Sequence, residues 1–274
     1  MLKNTQIEEH TFTVLNEYLL FLSHLSNVFE RIKDRAEYSL RCGLGSSQRH
    51  DIQALTHSAS KSAGDWRAIL QLLPALGIMC IQAADKINNF TKEFYSVMQS
   101  FSGSAQDTLL KDFDPLRFTP ITSGAQELLN HSDPKEAIDN LNSLLEECSF
   151  LASKLEQMLM EYSNTNLFLL ARFIDVLQTP TCPTAILLIY FIGLNIGELT
   201  NKSYLRNLQV SSRLAGSHLS YTCSYILLLL KNIETELKIN TLQTPARRVR
   251  ISLVQINYSL ESLKEVSETI AVVP

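Results

Sequence analysis

Residues 66–101 read WRAILQLLPALGIMCIQAADKINNFTKEFYSVMQSF. The apolar positions are Trp66, Ile69, Leu73, Leu76, Cys80, Ala83, Ile87, Phe90, Phe94, Val97 and Phe101. Steps that alternate between three and four residues keep one stripe of a helix facing a partner over many turns. A strand would instead alternate every second residue, and no such alternation persists anywhere in the chain. The stretch therefore predicts a long packed helix, kinked at Pro74, where a backbone donor is missing.

The same spacing recurs on either side. Upstream it passes through Leu15, Tyr18, Leu22, Leu25, Phe29, Ile32 and Ala36. Downstream it takes in Ile138, Leu141, Leu145, Cys148, Ala152, Leu155, Leu159 and Tyr162, skips at Asn166 and resumes at Leu169, Phe173 and Val176. A last run holds Leu253, Ile256, Leu260 and Leu263 and ends at Ile270. The expected fold is all-α: one domain over 1–274, an elongated antiparallel bundle of about five helices. Phe29, Trp66, Leu73, Ile87, Phe94 and Leu155 are its expected core or dimer seam.

Breakers punctuate the runs. Gly43-Leu-Gly45-Ser-Ser ends the first, and the polar segment to Gly64 reads as a loop or short helix. Ser102-Gly103-Ser104 follows the second. An irregular connection spans 112–134, with Pro115, Pro120, Gly124 and Pro134. Ser132-Asp-Pro-Lys-Glu136 reads as a helix start: a capping residue, a proline in the first turn, then an acid. Thr179-Pro-Thr-Cys-Pro183 precedes a fourth element over about 184–238, with a break near Gly216, and Thr241 to Pro245 leads into the last helix.

With 45% hydrophobic and 19% charged residues, the 274-residue chain has ample material for a core and is not a disordered polymer. The net charge of -4 gives no global attraction to polyanions. Charge is unevenly divided, however. Residues 1–104 hold ten basic and ten acidic side chains, 105–180 five and twelve, and 181–274 nine and six. The start, MLKNTQIEEH, lacks a basic-then-apolar leader pattern. Cys42, Cys80, Cys148, Cys182 and Cys223 form no CxxC pair and read as reduced, buried thiols, so a cytoplasmic location is expected, its peripheral-membrane part resting on the basic clusters below. The longest apolar stretch, Ala185 to Ile196 (AILLIYFIGLNI), falls short of the roughly 20 residues that a spanning helix needs.

Enzyme signatures are missing. No phosphate-binding glycine loop, nucleophile elbow or H-E-x-x-H occurs, and His10, His24, His50, His57, His131 and His218 have no second ligand at helical spacing. The expectation is no catalysis, no metal and no cofactor. Basic clusters carry the functional reading instead. Arg31, Lys33, Arg35 and Arg41 form one, Lys202, Arg206 and Arg213 a second, and Arg247, Arg248 and Arg250 a third. Such groups suit anionic lipid headgroups, at about 1 kcal/mol per basic residue near the surface. Without interleaved aromatics or a groove-reading motif they do not suit nucleic acid.

Three segments bear a family resemblance: Phe29-Glu-Arg-Ile-Lys-Asp-Arg-Ala-Glu37, Asp65-Trp-Arg-Ala-Ile-Leu70 and Ala83-Ala-Asp-Lys-Ile-Asn88. Over about residues 12–101 the chain resembles the BAR-domain superfamily, of the F-BAR or sorting-nexin BAR kind. The resemblance implies a homodimer that binds and shapes anionic, phosphoinositide-bearing membranes in trafficking, with the basic residues above as lipid contacts. Two other readings stand beside it. One is a helical adaptor or effector that holds a partner protein in a groove or through its acidic 105–180 region. The other is a membrane-inserting helical toxin or translocator that exposes the segment 184–196.

Overall fold

Among the described residues, the backbone is helical where apolar side chains recur every three or four residues. The computed structural model describes residues 11–24, 27, 46–100, 109, 134–178, 202–238 and 244–272. Among them are five α-helices and no strand: α1 (11–24), α2 (Ser46–Ser100), α3 (Pro134–Gln178), α4 (Lys202–Lys238) and α5 (Ala246–Ala271). An isolated antiparallel bridge pairs Leu109 with Pro245. The expected all-α bundle of about five helices is the observed fold class.

Helix starts follow local chemistry. Helix α3 opens on Pro134 with Glu136 in its first turn, as the capping pattern predicts. Pro245 precedes α5 in an extended conformation, and its carbonyl accepts from the amides of Arg248 (2.8 Å) and Val249 (3.2 Å). Two expected breaks are not breaks. The polar segment 46–64 is the first part of α2, and α4 runs through Gly216. Small side chains explain the first: Ala59, Ser62 and Ala63 are buried ahead of Trp66, at the same three- and four-residue steps. Glycine costs a helix interior only about 0.5–1 kcal/mol, and Gly216 is buried beside Tyr162 and Ser163, where packing outweighs that cost.

The chain forms two compact units. One comprises Met1–Gln6, Leu72–Leu155 and Thr222–Pro274, and the other Ile7–Gln71 and Glu156–Tyr221. In the first, the core is drawn from Leu73, Leu76, Ile87 and Phe94 of α2, Leu141, Leu145 and Leu155 of α3, Ile226, Leu230 and Ile233 of α4, and Leu253, Ile256 and Leu263 of α5. In the second it is drawn from Leu15, Tyr18 and Leu22 of α1, Trp66 and Ile69 of α2, Leu159 and Tyr162 of α3, and Leu208 and Leu219 of α4. Each aliphatic side chain so buried contributes about 1.5–3 kcal/mol over leaving it in water.

Candidate functional site

The expected core residues Trp66, Leu73, Ile87, Phe94 and Leu155 are wholly buried. Phe29 lies outside the described residues, as do Arg31, Lys33, Arg35 and Arg41. Lys202 and Arg206 lie in the first turns of α4. Arg213, further along α4, is exposed, and so are Arg247, Arg248 and Arg250 at the start of α5. Arg213 belongs to the Ile7–Gln71 and Glu156–Tyr221 unit, and Arg247, Arg248 and Arg250 to the other.

In the Ile7–Gln71 and Glu156–Tyr221 unit, three aromatic rings meet. Trp66 and Tyr162 lie with ring centroids 4.7 Å apart, and Tyr18 meets Tyr162 edge-on at 6.1 Å. Aromatic pairs of this kind add about 0.5–1.5 kcal/mol beyond the area they bury. Their polar atoms are less well served. The Tyr18 hydroxyl, the Trp66 Nε1–H and the Ser62 Oγ, one turn before Trp66 on α2, are buried with no hydrogen-bond partner among the described residues. Each such orphan costs about 1–3 kcal/mol. Burial also drives the Tyr18 phenol far above its ordinary range, because the phenolate would be stranded away from water.

In the other unit, α2, α3 and α4 bring Cys80, Cys148 and Cys223 into the core, all three as free thiols. Cys80 shares a hydrogen bond with Cys148, and that bond together with burial pushes the Cys80 thiol up and keeps it protonated. A protonated, buried thiol is a small hydrophobe and not a nucleophile. No group of three or more His, Cys, Asp or Glu able to hold a metal occurs among the described residues. His24, His57 and His218 are exposed. Ion pairs lie at the surface: Lys264 to Asp85 at 3.0 Å, and Lys238 to Glu146 at 3.6 Å and to Glu234.

No protein-family model and no curated protein matches this chain. A solved structure does match: XaxA from Xenorhabdus nematophila, over 94% of each chain, with a TM-score of 0.67 and 10% sequence identity. The likeness is one of fold.

It overturns the BAR resemblance, and with it the reading of a dimer that shapes anionic membranes in trafficking. The physical reason is visible in the residues that carried the resemblance. Trp66, Ile69, Ala83, Ala84 and Ile87 are buried positions on the helical stripe, of a type that any long packed helix requires. The similarity lay in the helical pattern. Nothing in these comparisons supports the alternative of an adaptor with a partner groove.

What sequence reasoning missed is the outer surface. Ile251, Val254 and Tyr258 of α5 are exposed, as are Val210, Leu214, Tyr221 and Leu228 of α4. The signal was present as a second apolar stripe at helical spacing on each helix, hidden behind the stronger stripe that forms the core.

Proposed function

We propose that this protein is a membrane-inserting helical protein of the toxin type, acting without catalysis. The observation that carries the reading is the fold shared with XaxA, a toxin-type helical protein, over 94% of both chains. Sequence supports it. Ala185 to Ile196 (AILLIYFIGLNI) contains no charged residue, and its only polar side chains are Tyr190 and Asn195. At 1.5 Å per residue, a helix of that length reaches about 18 Å, against about 30 Å for the hydrocarbon core. The segment therefore suits penetration of one leaflet by each copy, and a lesion requires several copies or a second segment.

Helix α2 also holds, within His57–Ser96, an 18-residue window with a mean hydropathy of 1.5, long and apolar enough to cross a membrane by length and composition. The core accounts for part of this apolarity: Leu73 and Leu76 have no exposed surface, and 39% of the window is buried. The inserting element of this proposal is 185–196, whose apolar run no charge interrupts. The test is an environment-sensitive fluorophore on a cysteine placed at Ile189, in a Cys42→Ser, Cys182→Ser background. Addition of lipid vesicles should shift the emission to the blue and protect it from an aqueous quencher. An unchanged, fully quenchable emission at saturating lipid rejects the insertion.

A further inference from the structure

Helix α5 is apolar on two opposite faces. Its inner face carries Leu253, Ile256, Leu260 and Leu263, all buried. Ile251, Val254 and Tyr258 are offset by two residues, hence by about 200° around the helix. They are 44%, 45% and 73% exposed. These three continue a strict four-three-four step that begins at Arg247 and goes on through Glu261 and Glu265, all exposed. The outer face is therefore a short coiled-coil seam with a basic start, an apolar middle and an acidic end.

The order of those charges is the second observation. A helix start carries partial positive charge and a helix end partial negative, so acids are favoured early and bases late. Helix α5 has the reverse: no acid in its first turn, no base in its last, Arg247, Arg248 and Arg250 at the start and Glu261, Glu265 and Glu268 toward the end. Among the described residues, Arg247 and Glu265 have no ion-pair partner. Within one chain this arrangement is unfavourable. Against a second α5 running the other way it becomes complementary, because each basic start meets an acidic end and the two helix dipoles oppose.

We infer that the outer face of α5 is a self-recognition surface, on which a second copy of this chain packs its own α5 antiparallel about a two-fold axis. In the register we infer, Val254 of one copy packs against Tyr258 of the other, and Ile251 stands beside Glu261 of the second copy, so the Val254–Tyr258 layers are the apolar part of the seam. The same register sets Arg247 beside Glu265 of the second copy, twice by symmetry. The apolar middle is only three side chains deep, so the pair is weak, concentration-dependent and salt-sensitive, at the small end of specific interfaces. The inference stands independently of any membrane activity.

Sedimentation velocity over a concentration series tests it with four variants of exposed residues. Arg247→Glu alone and Glu265→Arg alone should each weaken self-association by about tenfold, since each places like charges together at two sites. The combined Arg247→Glu, Glu265→Arg variant should recover to within about threefold of wild type. Val254→Lys with Tyr258→Lys should abolish association. All four should keep the wild-type circular dichroism. A wild-type chain that stays monomeric at every concentration overturns the inference. So does a combined swap as weak as the single ones, or association untouched by loss of Val254 and Tyr258.

Discussion

A Cβ placed on Gly77 of α2 would stand 2.7 Å from the carbonyl oxygen of Ser267 on α5, and 2.8 Å from the amide nitrogen of Ala271. Both are backbone atoms, which cannot swing aside as a side chain can. The two helices touch main chain to main chain at this point, and only glycine permits it. Gly77→Ala should therefore destabilise the protein by about 1–3 kcal/mol through forced separation of α2 from α5. Gly64 lies exposed on the same helix, and a Cβ there would have nothing within 4 Å. Gly64→Ala should raise stability by about 0.5–1 kcal/mol through helix propensity alone. Urea unfolding of the two variants side by side measures both signs.

The buried Tyr18 phenol has ring neighbours but no partner for its hydroxyl. Tyr18→Phe keeps the ring and removes the orphan, so it should be neutral or stabilising by up to about 1 kcal/mol near neutral pH. The folded-state value is raised above that of the free side chain. The stability tied to the neutral phenol is thus complete below the usual tyrosine value of about 10 and is lost as pH rises beyond it. Thermal unfolding of wild type should fall more steeply above that pH than unfolding of the Phe variant. Parallel curves would show that Tyr18 is not the titrating group.

Ser62 provides a companion case. Its Oγ is buried without a partner in mid-helix. Ser62→Ala removes a buried orphan and improves helix propensity, for a gain of about 1 kcal/mol. Chemical denaturation checks it, and a loss of stability would mean that the hydroxyl is satisfied in solution.

Cys80, Cys148 and Cys223 should resist maleimide in the native protein and react once denaturant is added, because all three are buried and Cys80 is held protonated. Mass spectrometry of labelled peptides reads each site separately. Rapid native labelling of Cys80 would show that the α2–α3–α4 core opens.

The sequence stripe from Trp66 to Phe94 and that from Ile138 to Tyr162 coincide with buried positions because large apolar residues mark them. The beginning of α2 was not legible for the opposite reason. Its core positions are Ala59, Ser62 and Ala63, whose small side chains carry little hydropathy, so the polar segment to Gly64 reads as a loop or a short helix and not as part of a long one. Continuing the three-four step backward from Trp66 through Ser62 to Ala59 is the signal that recovers it. Helix α4 concealed its register similarly, with Ser212, Ala215 and Thr222 buried between Leu208, Leu219 and Ile226. The family resemblance failed because helical cores reuse the same few residue types, whereas the arrangement of helices shared with XaxA is a property of the whole chain.

The proposed function is entry into, and breach of, a lipid bilayer. Its most direct test is release of a self-quenched dye from lipid vesicles, comparing wild type with Ile189→Glu, Ile192→Glu, whose far-ultraviolet circular dichroism is checked in parallel. Release by wild type should grow more than linearly with protein concentration, and the helical, folded variant should release none. Intact vesicles under wild type across lipid compositions and pH, or undiminished release by the variant, would contradict this function.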